Sequence, residues 1–165
     1  MTINPPTSDL LSDWLAYIDS IHPKSISLGL DRVKQVKALC NLNPIFPIIL
    51  VAGTNGKGSS CKFLESILSC AGFDVGCYTS PHLFNFNERI SINTKPLSDN
   101  LIVDSIKFIE NSRDEVPLTY FEITTLAAMN LMMEANVDIA ILEVGLGGRH
   151  DAVNVFEPEI SLITS

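Results

Sequence analysis

Three glycines alternate around a lysine in Gly53-Thr54-Asn55-Gly56-Lys57-Gly58-Ser59, directly after the apolar run Ile48-Ile49-Leu50-Val51-Ala52. A helical pattern follows at once. Strand, glycine turn and helix together form the setting in which backbone N–H groups and a helix N-terminus cradle phosphate. Gly53, Gly56 and Gly58 can take positive φ and let an anion approach the backbone closely. Lys57 would neutralise the β- and γ-phosphates, and Thr54 or Ser59 would add a hydroxyl contact. The strict P-loop pattern fails in two places. Val51 stands where its first glycine belongs, and Gly58 separates Lys57 from the hydroxyl of Ser59. The plain alternative is a strand-to-helix turn carrying an exposed lysine.

Other polar residues close apolar runs. Glu143 ends Val137-Asp138-Ile139-Ala140-Ile141-Leu142, and Ser80 follows a short strand that ends at Tyr78. A carboxylate at a strand end beside a phosphate turn suits Mg²⁺, which takes oxygen ligands and substrate phosphates. A solvated strand-end glutamate is the competing reading of Glu143, and a Ser-Pro pair is first a turn signal. His82 reads as a polar loop residue and stays outside the metal set. Arg149 and Asp151 follow the glycine turn Gly145-Leu146-Gly147-Gly148. There a guanidinium can clamp a carboxylate or phosphate, and Asp151 can bond a polar ring, unless the two form a mere surface ion pair. Tyr120, Phe121 and Glu122 open a helix, where capping and packing would be enough to explain them.

Helices and strands must bring these residues together. Thr7, Ser8 and Asp9 offer N-caps to a helix with Leu10, Leu11, Trp14, Leu15 and Ile18 on one face. A second helix opens within residues 28–33. After the glycine turn, Phe63, Leu64, Ile67, Leu68 and Ala71 recur at helical spacing, and Gly72 sits where a C′ glycine belongs. Further helices are expected over residues 99–111 and 120–136, with Met129, Met132 and Met133 as core. Strands are expected over 48–51, 74–78, around Ile90 and Ile92, over 137–142 and from Ile160. This alternation predicts an α/β fold, a mostly parallel sheet with helices on both faces. Right-handed crossovers then gather the strand C-termini at one edge, where ligands bind. From spacing alone the reading is a nucleotide site for phosphoryl transfer.

Composition narrows the class. A chain of 165 residues with 46% hydrophobic and 18% charged residues has the makings of one globular domain. A net charge of −8 without a basic tract argues against nucleic acid, while a local glycine nest and one lysine still suit an anion. The four cysteines (Cys40, Cys61, Cys70 and Cys77) form no metal-binding spacing and read as reduced thiols. No secretory leader or membrane-length run appears, so a soluble cytoplasmic protein is expected.

Taken in order, residues 28–33, Val51 to Ser59, Thr79 to Leu83, Asn87 to Ile90, Thr119 to Glu122 and Leu142 to Arg149 form six motifs. They resemble folylpolyglutamate synthase/dihydrofolate synthase, within the Mur ligase superfamily, from about Trp14 to Ser165. The resemblance implies a P-loop-containing Mur-ligase-like central domain and an ATP-dependent ligase. Such an enzyme adds L-glutamate to dihydropteroate or to a folate's glutamate tail through an acyl phosphate, with ATP and Mg²⁺. Gly53, Thr54, Asn55, Gly56, Lys57, Gly58 and Ser59 would then bind ATP, and Ser80 and Glu143 would be magnesium ligands. Lys57 and Glu143 would be catalytic. Ser25, Ile26, Ser27, Leu28, Thr119, Tyr120, Phe121, Glu122, Arg149, His150, Asp151 and Ala152 would hold the pterin substrate. His150 and Val153 depart from the family's usual Leu and Thr.

The resemblance further implies that residues 1–165 form the N-terminal part of the ATP-binding domain. Residues 1–44 would be a helical lead-in with a substrate loop, and residues 45–165 the nucleotide-binding core. The C-terminal domain, with a histidine metal ligand and much of the glutamate site, would be absent. The 165-residue chain alone is therefore expected to be inactive, and the full-length form monomeric. Two other classes remain open: a binding module that holds nucleotide or pterin without chemistry, and an unrelated P-loop kinase or GTPase.

Overall fold

A computed structural model describes residues 4–22 and 29–165. The expected sheet is present. Its order is β4-β3-β2-β5-β1-β6, built from β1 (Ile48–Ala52), β2 (Val75–Tyr78), β3 (Ile90–Ile92), β4 (Lys95–Pro96), β5 (Ile139–Glu143) and β6 (Ile160–Ile163). Strands β2, β5, β1 and β6 run parallel, while β3 and β4 join one edge antiparallel. The helices are α1 (Leu11–Ser20), α2 (Asp31–Leu39), α3 (Lys57–Cys70), α4 (Asp99–Ser112) and α5 (Tyr120–Glu134).

Strand periodicity divides the core. Ile48 and Leu50 of β1, Ala140 and Leu142 of β5 and Tyr78 of β2 face the larger cluster, with Trp14, Val36, Ile106, Met129 and their neighbours on α1, α2, α4 and α5. The alternate residues Val51, Ile141, Val75 and Cys77 face α3, meeting Cys61, Leu64 and Leu68. Helix α5 lies close against β2: a side chain at Gly76 would come within 2.6 Å of Met132. Both central strands are thus buried on two faces, which is why β1 and β5 read as unbroken apolar runs.

Two local expectations change. Helix α1 is capped by Leu10 with no side-chain bond. Ser8 instead bonds the Asp13 side chain, and its carbonyl accepts from Trp14 Nε1 at 2.9 Å. On α3 the inward stripe is Cys61, Leu64, Glu65 and Leu68, whereas Phe63 and Ile67 are exposed. The predicted apolar face of α3 therefore mixes an inward and an outward side. Gly72 closes α3 at φ +93°, as its position suggested. Cys40, Cys61 and Cys77 are buried free thiols and Cys70 is an exposed one. No helix among the described residues is long and apolar enough to cross a membrane.

Candidate functional site: a phosphate turn beside a buried carboxylate

Because β2, β5 and β1 are adjacent and parallel, their C-terminal ends meet. The turn after β1 passes through Gly53 at φ +137° and Gly56 at φ +81° before α3 begins at Lys57. Gly56 is the N-cap and supplies no side-chain bond, so the first-turn N–H groups stay open to an incoming anion. Lys57 Nζ donates to the Gly53 carbonyl at 3.1 Å and the Thr54 carbonyl at 3.5 Å, folding the lysine over its own turn. Not every turn residue faces outward. The Asn55 N–H donates to the Ser165 carbonyl at 2.7 Å. A side chain at Gly53 would meet the Thr164 hydroxyl and come within 2.7 Å of its carbonyl oxygen. Gly53 therefore makes room for the segment leaving β6, while Thr54 and Ser59 are exposed beside the turn.

Glu143, at the end of β5, is only 4% exposed. Its Oε2 accepts the Ser80 N–H at 3.0 Å. Burial pushes its carboxyl above the usual range, against the Ser80 bond and the nearby Lys57 charge. Position Gly58 faces this carboxylate, at 3.7 Å from an added Cβ to Oε2. The turn, Ser80 and Glu143 thus come together as the strand order predicts. A poorly compensated buried carboxylate next to open N–H groups is a donor set that fits a hard cation shared with phosphate oxygens. No cluster of three or more His, Cys, Asp or Glu occurs among the described residues, so Glu143 would meet a cation beside phosphate oxygens rather than in an all-protein cage.

A second group of predicted residues lies beyond Glu143 on the α5 side. Thr119 caps α5 in a reciprocal box: Glu122 N–H donates to its hydroxyl at 3.2 Å, and its own N–H donates to Glu122 Oε2 at 2.7 Å. Glu122 Oε1 accepts from Arg32 at 2.9 Å. The Phe121 ring fills the space over Gly145, where a Cβ would come within 2.6 Å of it. Tyr120 is part-buried, and burial takes its hydroxyl up to about 12. Asp151 is buried; it accepts the N–H groups of Leu146 at 2.7 Å and Val153 at 3.2 Å, and burial raises its carboxyl. It therefore holds the 145–148 turn, helped by Asn154 Nδ2 donating to the Gly148 carbonyl at 2.9 Å. Ala152 is buried, whereas Arg149 and His150 are exposed. Ser25, Ile26, Ser27 and Leu28 lie outside the described residues.

Sequence reasoning assigned no role to the side chains of two clusters near this edge. Arg89 stacks over the rings of Phe86 at 5.5 Å and Tyr120 at 5.7 Å, and its Nε donates to His82 Nδ1 at 2.9 Å. Glu88 accepts the N–H groups of Leu83, Phe84 and Asn85, which hold its carboxyl below the usual range. The second cluster is a buried carboxylate on α3. Glu65 accepts from Lys62 at 2.8 Å, Ser91 Oγ at 2.6 Å and the Thr94 N–H at 3.1 Å. Its signal was present in the sequence, since position 65 falls on the stripe of Cys61, Leu64 and Leu68.

No family model matches the chain. Among curated proteins it is 45% identical over 162 residues to the dihydrofolate synthase/folylpolyglutamate synthase of Escherichia coli K12, covering 98% of this chain and 38% of that protein. The solved structure of E. coli FolC in complex with DHPP and ADP superposes with a TM-score of 0.94 at 43% identity, over 98% of this chain and 39% of the other. A bifunctional folylpolyglutamate synthase/dihydrofolate synthase with Mn, AMPPNP and L-glutamate bound gives a TM-score of 0.91 at 45% identity, over 97% and 39%. The chain thus spans about two fifths of the length of the relatives it matches.

Proposed function

This chain belongs to the folylpolyglutamate synthase/dihydrofolate synthase family, and on that premise we propose that it holds the ATP–magnesium site of an ATP-dependent glutamate ligase. The observation that carries the proposal is the contact of three strand ends: open N–H groups after β1, the Ser80 N–H after β2 and the buried Glu143 carboxylate after β5. The relatives' complexes with ADP, AMPPNP, Mn and L-glutamate support it. In this reading Gly56, Lys57, Gly58 and Ser59 bind the phosphates, and Ser80 and Glu143 hold Mg²⁺ through oxygen. Bound there, Mg²⁺ would neutralise phosphate oxygens as they crowd the acceptor carboxylate.

The reaction is the ligation of L-glutamate to dihydropteroate, to a folate's glutamate tail, or to both. A carboxylate oxygen of the acceptor attacks the γ-phosphorus of ATP and ADP leaves. The glutamate amine then attacks the acyl carbon, phosphate departs with the bonding pair, and the amine loses a proton. Lys57 leaves the Gly53 and Thr54 carbonyls to balance charge on the transferring group. Arg149, His150, Asp151, Ala152 and Thr119 to Glu122 line the pterin side; Asp151, Thr119 and Glu122 act there by shaping the turn and the α5 N-terminus. In this reading the full-length form acts in the cytoplasm as a monomer, on small-molecule substrates and without nucleic acid or membrane.

Since the chain spans 38% of its curated relative, a second reading is a binding unit that holds nucleotide or pterin and performs no ligation by itself. Equilibrium titration with Mg-ADP tests the shared claim. Wild type binds in a magnesium-dependent way, and Glu143→Gln removes that dependence. Equal binding with and without magnesium in wild type contradicts the site. Product assays with dihydropteroate, L-glutamate and Mg-ATP separate the two readings, and we expect no turnover from the 165 residues alone.

A further inference from the structure

A cavity of about 670 Å³ begins at the phosphate corner, between Gly58, Ser80 and Glu143, and continues to Lys62, Ser66 and Thr94. In the function proposed above, the near end would take the nucleotide phosphates and Mg²⁺. The far end is open and holds a cation. Gly58, Lys62 and Ser66 are spaced i, i+4, i+8, so they form one stripe of α3 along the cavity wall. Lys62 therefore stands just over one helical turn, about 6 Å along the axis, beyond Gly58.

The environment of Lys62 is built rather than incidental. Its Nζ donates to Glu65 at 2.8 Å and to Ser91 Oγ at 3.0 Å, while about half of its side chain remains exposed. Glu65 is fully buried and shares its charge with two further donors, the Ser91 hydroxyl and the Thr94 N–H. An ammonium has three N–H donors, and two are committed. The anchored amine thus keeps one donor and part of its positive field for the cavity. Burial, the largest single influence, would lower its pKa, but the Glu65 bond together with the charge interactions of Cys77, Glu65 and Cys61 outweighs it and keeps Lys62 charged.

We propose that Lys62 is an oxyanion-binding residue at the far end of the cavity, set by Glu65 and Ser91 to take an oxygen of a substrate. The oxyanion is either a phosphate oxygen of the nucleotide or a carboxylate of the acidic amino acid, and naming these sources rests on the function proposed above. Mg-ADP and L-glutamate are separate probes of the two.

NMR of lysine side chains labelled at Cε and Nζ tests this in the 165-residue chain, with Lys62 and Lys57 assigned from Lys62→Arg and Lys57→Arg. The expected result is a saturable shift of the Lys62 signal with one probe. Lys62→Met should weaken that probe's binding by about ten- to a hundredfold, the worth of one charge-assisted hydrogen bond, while Lys62→Arg preserves it. A Lys62 signal that moves with neither probe overturns the proposal, as does unchanged affinity in a folded Lys62→Met variant. If that variant fails to fold, the wild-type titration decides. A Lys57 response to Mg-ADP beside a silent Lys62 keeps the nucleotide site and rejects this inference. A Lys62 response to L-glutamate with Lys57 silent to Mg-ADP does the reverse.

Discussion

At the residue scale, Glu143 and Gly53 separate ligand chemistry from packing. Burial raises the Glu143 carboxyl, so the folded chain keeps that proton to a higher pH than the unfolded chain does. The contribution to stability therefore falls as pH rises from the ordinary glutamate value of 4.5 through the higher folded one. Glu143→Gln should accordingly raise the melting temperature of the ligand-free chain at neutral pH while abolishing magnesium-dependent nucleotide binding. Loss of stability at neutral pH would show that the carboxylate is already compensated. In wild type, magnesium-dependent binding should weaken on acidification at a pH above the range of an exposed glutamate, as a calorimetric pH series would show. Gly53 predicts the opposite pattern. Gly53→Ala forces a methyl toward Thr164 at a positive φ, and overpacking of this kind costs about 1–3 kcal/mol in chemical denaturation. Besides the phosphate role expected of the turn, Gly53 makes room for the chain leaving β6, which local pattern does not show.

At the element scale, α3 and α5 show what spacing can and cannot tell. The strand, turn and helix of β1–α3 were legible because glycine pattern, lysine and apolar run all point to one local geometry. Orientation about the α3 axis was less so, since exposed Phe63 and Ile67 have the same helical spacing as the part-buried, inward-facing Leu64 and Leu68. Buried Glu65 was passed over because its partners, Ser91 and Thr94, belong to a hairpin distant in sequence. Glu122 at the start of a helix reads as a cap, and it does cap α5; its pairing with Arg32 from α2 is the part that local pattern leaves out. Thr119→Ala should therefore cost about 1 kcal/mol through the lost cap. Denaturant unfolding checks this, and an unchanged midpoint would mean the cap contributes nothing.

For the whole molecule, the alternation of strands with helices forecasts a sheet covered on both faces, and the two core clusters lie on its opposite sides. The order of the parallel strands is set by pairings across long sequence gaps, β5 and β6 with β1 and β5 with β2, so local pattern does not give it. Ile106 on α4 is wholly buried in the larger cluster; Ile106→Ala should cost about 2–5 kcal/mol, measured by the same unfolding. The central claim is that this 165-residue fold binds Mg-nucleotide at the turn after β1. Thermal unfolding with and without Mg-ATP, in wild type and Lys57→Ala, tests it most directly. A ligand at 100 times its Kd adds about 2.7 kcal/mol, which at this size raises Tm by about 5–10 °C. We expect that rise in wild type and its disappearance in Lys57→Ala. A cooperative transition that Mg-ATP leaves unmoved, or an equal rise in both proteins, would contradict the claim.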